Sequence, residues 1–268
     1  MKIKKNKNCL LCKGELSNRS FPFFTIYNNV FFEYLKCTKC YSTCIYPTPD
    51  HETLEKIYSK NNYHNIFYKN YNKKKYLNSV KYINKYIKKN STLLDYGCGS
   101  GYFINALKDY GYKAVGVDYD KKLITDLKKN YEVYTLAEFD DINNKKFDVI
   151  HLGDVLEHMI DPINLMNYLI LKLNKNGLIY IEGPIERNLS LVNISIQLFG
   201  NIRNLFLPFM QRKHTPTHLF FVNLKSQINF FRQFHNLSII DYKVTETGWP
   251  YTGNGFIKNS IAKIAIMM

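Results

Sequence analysis

The sequence is short of acid where it is richest in base. Residues 56–94 hold ten lysines and no Asp or Glu, and residues 187–240 hold six basic residues and again no acid. It has a single Trp, 13 Gly and 8 Pro among 268 residues, too little Gly and Pro for a collagen-like or low-complexity chain. No apolar stretch follows the basic start Met1-Lys-Ile-Lys-Lys-Asn-Lys-Asn8, so the expectation is a cytoplasmic protein without a secretory leader. The most apolar window, Leu189 to Phe209, is broken by Asn193, Gln197, Gly200, Asn201, Arg203, Asn204 and Pro208. A membrane-spanning helix needs about 20 nearly continuous apolar residues, which this window does not supply.

What is present is globular: 46% hydrophobic and 22% charged residues, with 22 Tyr and 18 Phe. The net charge of +15 invites a nucleic-acid reading. Its distribution argues against one. Residues 95–186 carry 10 basic and 15 acidic side chains, a net of −5, so the basicity lies in the arms on either side. Nucleic acid is therefore not an expected partner.

Four of the six cysteines form Cys9-x2-Cys12 and Cys37-x2-Cys40. Two such knuckles can offer four thiolates to one tetrahedral Zn²⁺, and a fully ligated ion is structural because no position is left open for chemistry. The intervening residues are β-rich, with Asn28-Asn29 as the turn.

Residues 91–101 read as a short buried strand ending at Asp95, followed by Gly97-x-Gly99-x-Gly101 opening a helix from Tyr102. A second strand, Lys113–Asp118, ends in an acid. Glycines let a cofactor approach the backbone, and a carboxylate at the second strand's end can accept two ribose hydroxyls. The third glycine comes one residue too early for the dinucleotide fingerprint G-x-G-x-x-G.

Leu93-Leu-Asp-Tyr-Gly-Cys-Gly-Ser-Gly101 resembles motif I of the class I S-adenosylmethionine-dependent methyltransferases, and Val115-Gly-Val-Asp-Tyr-Asp120 resembles their motif II. Phe147 to Pro162 resembles their fourth-strand motif, and Asn176 to Pro184 the fifth strand and its exit. The paired knuckles ahead of Tyr46-Pro-Thr-Pro-Asp50 are similar to the zinc-ribbon lead of bacterial sugar methyltransferases of this type.

The resemblance implies an α/β fold, a doubly wound, mostly parallel sheet, preceded by a small N-terminal zinc ribbon. It divides the chain into a ribbon over 1–50, a helical basic lead over 51–90, and a methyltransferase domain over 91–268. A lid-like insertion at 187–216 lies within that last domain. The implied cofactor is S-adenosyl-L-methionine, with structural Zn²⁺ on Cys9, Cys12, Cys37 and Cys40. Asp95 and the loop Tyr96, Gly97, Cys98, Gly99 and Gly101 would hold its methionine part. Asp118 would take the ribose and Tyr119 the adenine face. Glu138, near the end of the third strand region Val133-Tyr-Thr-Leu-Ala-Glu138, would approach the adenine amino group, and Gly153 would meet the sulfonium side.

Methyl transfer is an in-line displacement at carbon whose leaving group departs neutral, so the protein supplies alignment and, for a hydroxyl or carbon acceptor, a base. Candidate bases are His158, His218 and Glu182. In the related sugar C-methyltransferases a Glu-His pair stands where this chain has Thr217-His218. The expected acceptor is a small molecule, an anionic nucleotide-sugar or glycan precursor suiting the basic arms. An RNA methyltransferase or a non-catalytic binding protein are the alternatives. No [DN]PP[YF] run and no Pro-Cys pair is present, which disfavours methylation of DNA bases.

The lysines from 73 to 89 interleave with Leu77, Val80, Ile83 and Ile87 at helical spacing, predicting an amphipathic helix. The apolar content of 187–216 suits a lid or a peripheral membrane contact. A helix is expected over 224–234 and a sixth strand over 237–244. The tail from Trp249 shows no clear seventh strand.

Overall fold

The computed structural model describes residues 7–20, 24–58, 73–142, 145–187 and 215–244, with positions 194, 198, 199, 202 and 206 from the insertion. The rest of the insertion and the tail from 245 lie outside the described residues, and so does the lid reading. The chain divides into two compact units, one of residues 1–48 with 185–268 and one of residues 49–184.

The first unit is antiparallel. Strands β1 (Leu16–Arg19), β2 (Thr25–Tyr27), β3 (Val30–Cys37) and β4 (Thr43–Tyr46) follow one another. β1 and β2 both pair with β3, which pairs with β4. The β2–β3 hairpin turns at Asn28 and Asn29, whose φ values of 49° and 61° are those of a tight hairpin turn. Asn tolerates that left-handed conformation because its short amide bonds locally. A late segment, Phe220–Phe221, adds to β4, so the ribbon sheet is completed by residues far along the chain. The helix expected over 224–234 forms as Leu224–Arg232, opened by a reciprocal Asn223–Ser226 capping box.

The second unit opens with helices α1 (His51–Tyr58) and α2 (Lys73–Ile83). Then come β5 (Thr92–Tyr96), α3 (Tyr102–Asp109), β6 (Lys113–Asp118), α4 (Lys121–Leu127), β7 (Glu132–Thr135) and α5 (Leu136–Asp141). β8 (Phe147–Gly153), α6 (Pro162–Leu171) and β9 (Leu173–Glu182) complete it. Its sheet is parallel throughout, in the order β7-β6-β5-β8-β9. This is the doubly wound α/β fold. The chain winds outward from β5 through β6 to β7, then returns to the other side of β5 for β8 and β9. The order reverses between β5 and β8, and doubly wound sheets open a crevice at the carboxyl ends of such strands.

One core cluster joins Val80 and Ile83 of α2 to Leu93, Phe103, Leu107 and Val149. The apolar spacing in the lysine-rich lead is thus a buried helix stripe. The helix stops at Ile83, short of the stripe's end at Ile87. Tyr86 N–H there bonds the Ile83 carbonyl (2.9 Å) in a tighter turn.

Two expectations are corrected. The third strand does not run to Glu138. It ends at Thr135, whose Oγ1 accepts the Glu138 N–H (3.3 Å) while the Glu138 carboxylate accepts the Thr135 N–H (2.8 Å). That capping box starts α5 instead. Residues 237–244 form no strand among the described residues, and Ile239, Ile240, Tyr242 and Val244 are exposed. A strand is held by ladder bonds to a neighbouring strand, and no described strand pairs with this segment. No helix among the described residues is long and apolar enough to cross a membrane.

Candidate functional site

At the reversal point β5 runs into the glycine loop. Gly97, Gly99 and Gly101 have φ values of 81°, 48° and 72°, which side chains rarely adopt. Gly97 is also constrained by space, since a methyl there would sit 2.5 Å from Val155 Cγ2. The N–H groups of Gly97 and Cys98 both donate to the Val117 carbonyl (2.8 and 3.0 Å), tying the loop to β6. Asp118 completes the arrangement. Its two carboxylate oxygens accept the Gly99 N–H (2.8 Å) and the Asp120 N–H (2.9 Å). Gly97→Ala is expected to lower stability by roughly 1–3 kcal/mol through backbone strain alone, with steric cost added. Urea denaturation monitored by circular dichroism measures it.

The loop borders a cavity of about 360 Å³ at the carboxyl ends of β5, β6 and β8. Asp95, Tyr96, Gly97, Cys98 and Gly99 line it. So do Asp118 and Tyr119, and Gly153, His158 and Glu182. Gly101 lies outside the lining and serves as the left-handed N-cap of α3. Glu138 also lies outside it. Lys128 and the capping box hold its carboxylate down to about 2, the lysine contact being the larger cause.

Tyr119 is nearly half exposed, and its hydroxyl donates to Glu55 (3.1 Å). His158 closes a 3-10 turn at Leu156–His158, is buried, and pairs through Nδ1 with the Tyr58 hydroxyl (3.2 Å). Asp154 takes a left-handed φ of 53° just beyond β8 and pairs with Lys75 (3.1 Å) at the cavity wall.

His151 was not singled out by the sequence reading and is the most constrained group in the site. Strand register sets it beside Asp95 on β5 and Tyr180 on β9. Its Nδ1 lies 2.7 Å from Asp95 Oδ1 and its Nε2 lies 3.3 Å from Glu182 Oε2. Burial opposes a charge on this ring, but the two carboxylates outweigh it and lift its pKa to about 9. The folded value is raised above the ordinary 6.5. The stabilisation from this contact is therefore fully present below about pH 6.5 and is lost as the pH rises through about 9. Thermal melts from pH 6 to 10 should show that loss. The same contact, with Ser79 Oγ donating to the other Glu182 oxygen (2.8 Å), holds Glu182 ionised against its own burial.

In the first unit, the Sγ atoms of Cys9, Cys12, Cys37 and Cys40 gather within 4.8 Å of one another, and all are free thiols. The Cys9–Cys40 and Cys12–Cys37 separations are 3.6 and 3.5 Å. The two knuckles repeat one geometry. Lys13 and Tyr41, each four residues after the first cysteine, take left-handed φ and return an N–H to the Cys9 and Cys37 carbonyls. Cys44 is buried beside Cys9, 3.8 Å away.

His218 also lies in this unit. Its Nδ1 pairs with Glu186, and its carbonyl accepts from the Tyr34 hydroxyl (2.9 Å). His218 is thus paired with a carboxylate 32 residues upstream, while the adjacent position remains Thr217. No local signal could have found that pairing.

A sequence profile described as a methyltransferase domain matches residues 68–234. Among similar proteins is a tRNA U34 carboxymethyltransferase of Campylobacter jejuni subsp. doylei, 30% identical over 122 residues. That match covers 42% of this chain and 42% of the relative. A ubiquinone biosynthesis O-methyltransferase of Hydrogenovibrio crunogenus is 24% identical over 138 residues, or 48% of this chain and 55% of the relative. The matched part thus spans about half the length of these relatives or less. Among solved structures, a SAM-dependent methyltransferase from Archaeoglobus fulgidus aligns with a TM-score of 0.43 at 18% identity, over 76% of this chain and 91% of that one.

Proposed function

The chain belongs to the methyltransferase-domain family, and from that premise we propose that it transfers the methyl group of S-adenosylmethionine to a small-molecule acceptor. A sugar or another surface-glycan precursor is the class we favour. The observation that carries the reading is the cavity at the reversal point, lined by the glycine loop and by the Asp118 carboxylate bonded to it. The cofactor supplies an electrophilic methyl on a sulfonium that leaves neutral. Asp95 and the loop backbone receive its amino-acid portion, Asp118 its ribose and Tyr119 its adenine. Glu138 is assigned no contact, because its carboxylate is spent on Lys128 and the start of α5.

Of the candidate bases, His158 fits best. It lines the cavity, and Tyr58 fixes its ring. Glu182 is a poor proton acceptor because both of its oxygens are engaged and its carboxyl is held below its ordinary range, against burial, chiefly by His151. His218, the third candidate base, lies in the other unit, where Glu186 holds its ring. His158→Ala should lower turnover on the order of 100-fold with cofactor affinity unchanged. Single-turnover kinetics alongside calorimetry separates the two quantities.

Zn²⁺ is proposed for the four thiols of the first unit. A tetrahedron with Zn–S bonds of about 2.3 Å sets sulfurs ~3.8 Å apart, close to the separations found here. Four thiolates leave no open position, so the ion is a structural one.

An RNA acceptor for the methyl group is the second reading; the relatives named tRNA U34 carboxymethyltransferases favour RNA as the acceptor class. Incubating cell extract with methyl-labelled S-adenosylmethionine tests both. Label in a nucleotide-sugar or glycan fraction supports the first reading. Label in RNA, with binding that falls steeply as salt rises, supports the second. If the protein neither labels any fraction nor binds the cofactor, both readings fail.

A further inference from the structure

Resting on the methyltransferase reading for the identity of the cofactor, we propose that His151 is a positioning residue of the transfer reaction. It is a buried imidazolium that holds Asp95 and Glu182 as a fixed pair of carboxylates, and so sets the charge and shape of the methionine end of the site.

The geometry requires the charged form. Asp95 lies 2.7 Å from Nδ1 and Glu182 lies 3.3 Å from Nε2, so both ring nitrogens face carboxylate oxygens. A neutral imidazole has one N–H donor and one bare lone pair, and in either tautomer one carboxylate would face that lone pair. With both carboxyls ionised, only the doubly protonated ring satisfies both. The surroundings suit a cation, with the Phe103 ring centroid 3.9 Å away and Tyr180 stacked at 5.4 Å on the neighbouring strand. Other charged or titratable groups near the cluster are Lys75 and Tyr76 on α2, Cys98 in the loop and Tyr180 on β9, each in the field of Asp95 or Glu182.

Without this cation, two carboxylates would share a buried wall, and one of them would take up a proton. With it, Asp95 Oδ1 is committed to His151, which orients the side chain at the end of β5. Glu182 is committed through both oxygens, one to His151 and one to Ser79 (2.8 Å). Glu182 then anchors the cation and does not carry the acceptor's proton. Gly153 belongs to the same device. A methyl there would sit 2.7 Å from His151 Cε1, so the strand tip carries glycine because the imidazole packs beneath it.

The test has two parts, both on the full chain. In a long-range ¹⁵N–¹H spectrum of histidine-labelled protein at pH 7.5, His151 should show two protonated ring nitrogens and remain so past pH 8. One bare nitrogen at pH 7.5 overturns the proposal. S-adenosylhomocysteine affinity is then measured by calorimetry from pH 6.5 to 10 for the wild type, His151→Gln and Gly153→Ala. Both variants should bind at least tenfold more weakly at pH 7.5. The wild type should lose affinity above about pH 9 beyond any loss in His151→Gln, since titration of the ligand's own ammonium is common to both. If His151→Gln does not fold, Gly153→Ala and the wild-type spectrum carry the test. Equal affinities and parallel pH profiles overturn the role of His151 alone. A wild type that does not bind the ligand at all refutes the methyltransferase reading on which this rests.

Discussion

Replacing Cys37 and Cys40 with serine is expected to unfold the antiparallel unit and to release one zinc per chain. Both residues sit at structural junctions. Cys37 ends β3, and its Sγ accepts the N–H groups of Lys39 and Cys40 (both 3.4 Å). Cys9 joins the N-terminal knuckle to Cys40 at 3.6 Å. In the absence of metal Cys12 and Cys40 hold their protons firmly. Burial pushes Cys12 up to about 11, and the Cys9 contact together with burial pushes Cys40 up to about 12. Only a cation can turn this cluster into four thiolates at neutral pH. A structural zinc site in a small domain contributes about 10–16 kcal/mol, comparable with the whole stability of a typical domain. The first unit's short strands and two-residue β4 partner have little to set against such a loss. The second unit has its own core around Val80, Leu93, Phe103 and Val149, so helical circular dichroism should survive in part. Metal analysis of the purified protein and limited proteolysis of the double variant provide the readout. A zinc-free wild-type chain whose first unit is fully protected would refute the metal site.

Much of the second unit was legible because its signals are local. The strand Lys113–Asp118, the glycine loop and the helix from Tyr102 each announce themselves within ten residues, through an apolar run, a set of glycines and a 3.6-residue stripe. Residues that matter through register are different. His151 stands alone among apolar neighbours on a buried strand, and nothing within its own segment indicates that Asp95 and Glu182 will flank it. Its partners come from two other strands, 56 positions before and 31 after. The Glu186–His218 pair is hidden in the same way. Glu138 shows the opposite case, because Thr135-x-x-Glu138 is a capping box legible in the sequence where a strand region is expected to run on. Residues 237–244 have strand-like composition, yet no described strand pairs with them, and β-propensity depends on such a neighbour.

Asp118→Ala should abolish measurable cofactor binding at ordinary concentrations. In the proposed complex this carboxylate accepts both ribose hydroxyls, and hydrogen bonds to a charged group are worth about 1.5–3 kcal/mol each. Their joint loss corresponds to an affinity drop of roughly 10²–10⁴-fold. The structure adds a second cost. The same carboxylate accepts the N–H of Gly99 at 2.8 Å and of Asp120 at 2.9 Å, so its removal also frees the loop that would receive the methionine portion. Asp118 is buried, and the alanine variant leaves those N–H donors to find water. Asp118→Asn separates the two contributions. An amide keeps one oxygen acceptor for the Gly99 N–H but has no charge and only one acceptor atom for the ribose, so its affinity should fall between wild type and alanine. Calorimetry with S-adenosylhomocysteine ranks the three proteins, and hydrogen exchange at Gly99 reports whether the loop has been released. Wild-type affinity in Asp118→Ala would remove the ribose role from this carboxylate. If Asp118→Asn matched alanine while Gly99 remained protected, the charge rather than the loop anchor would account for the effect.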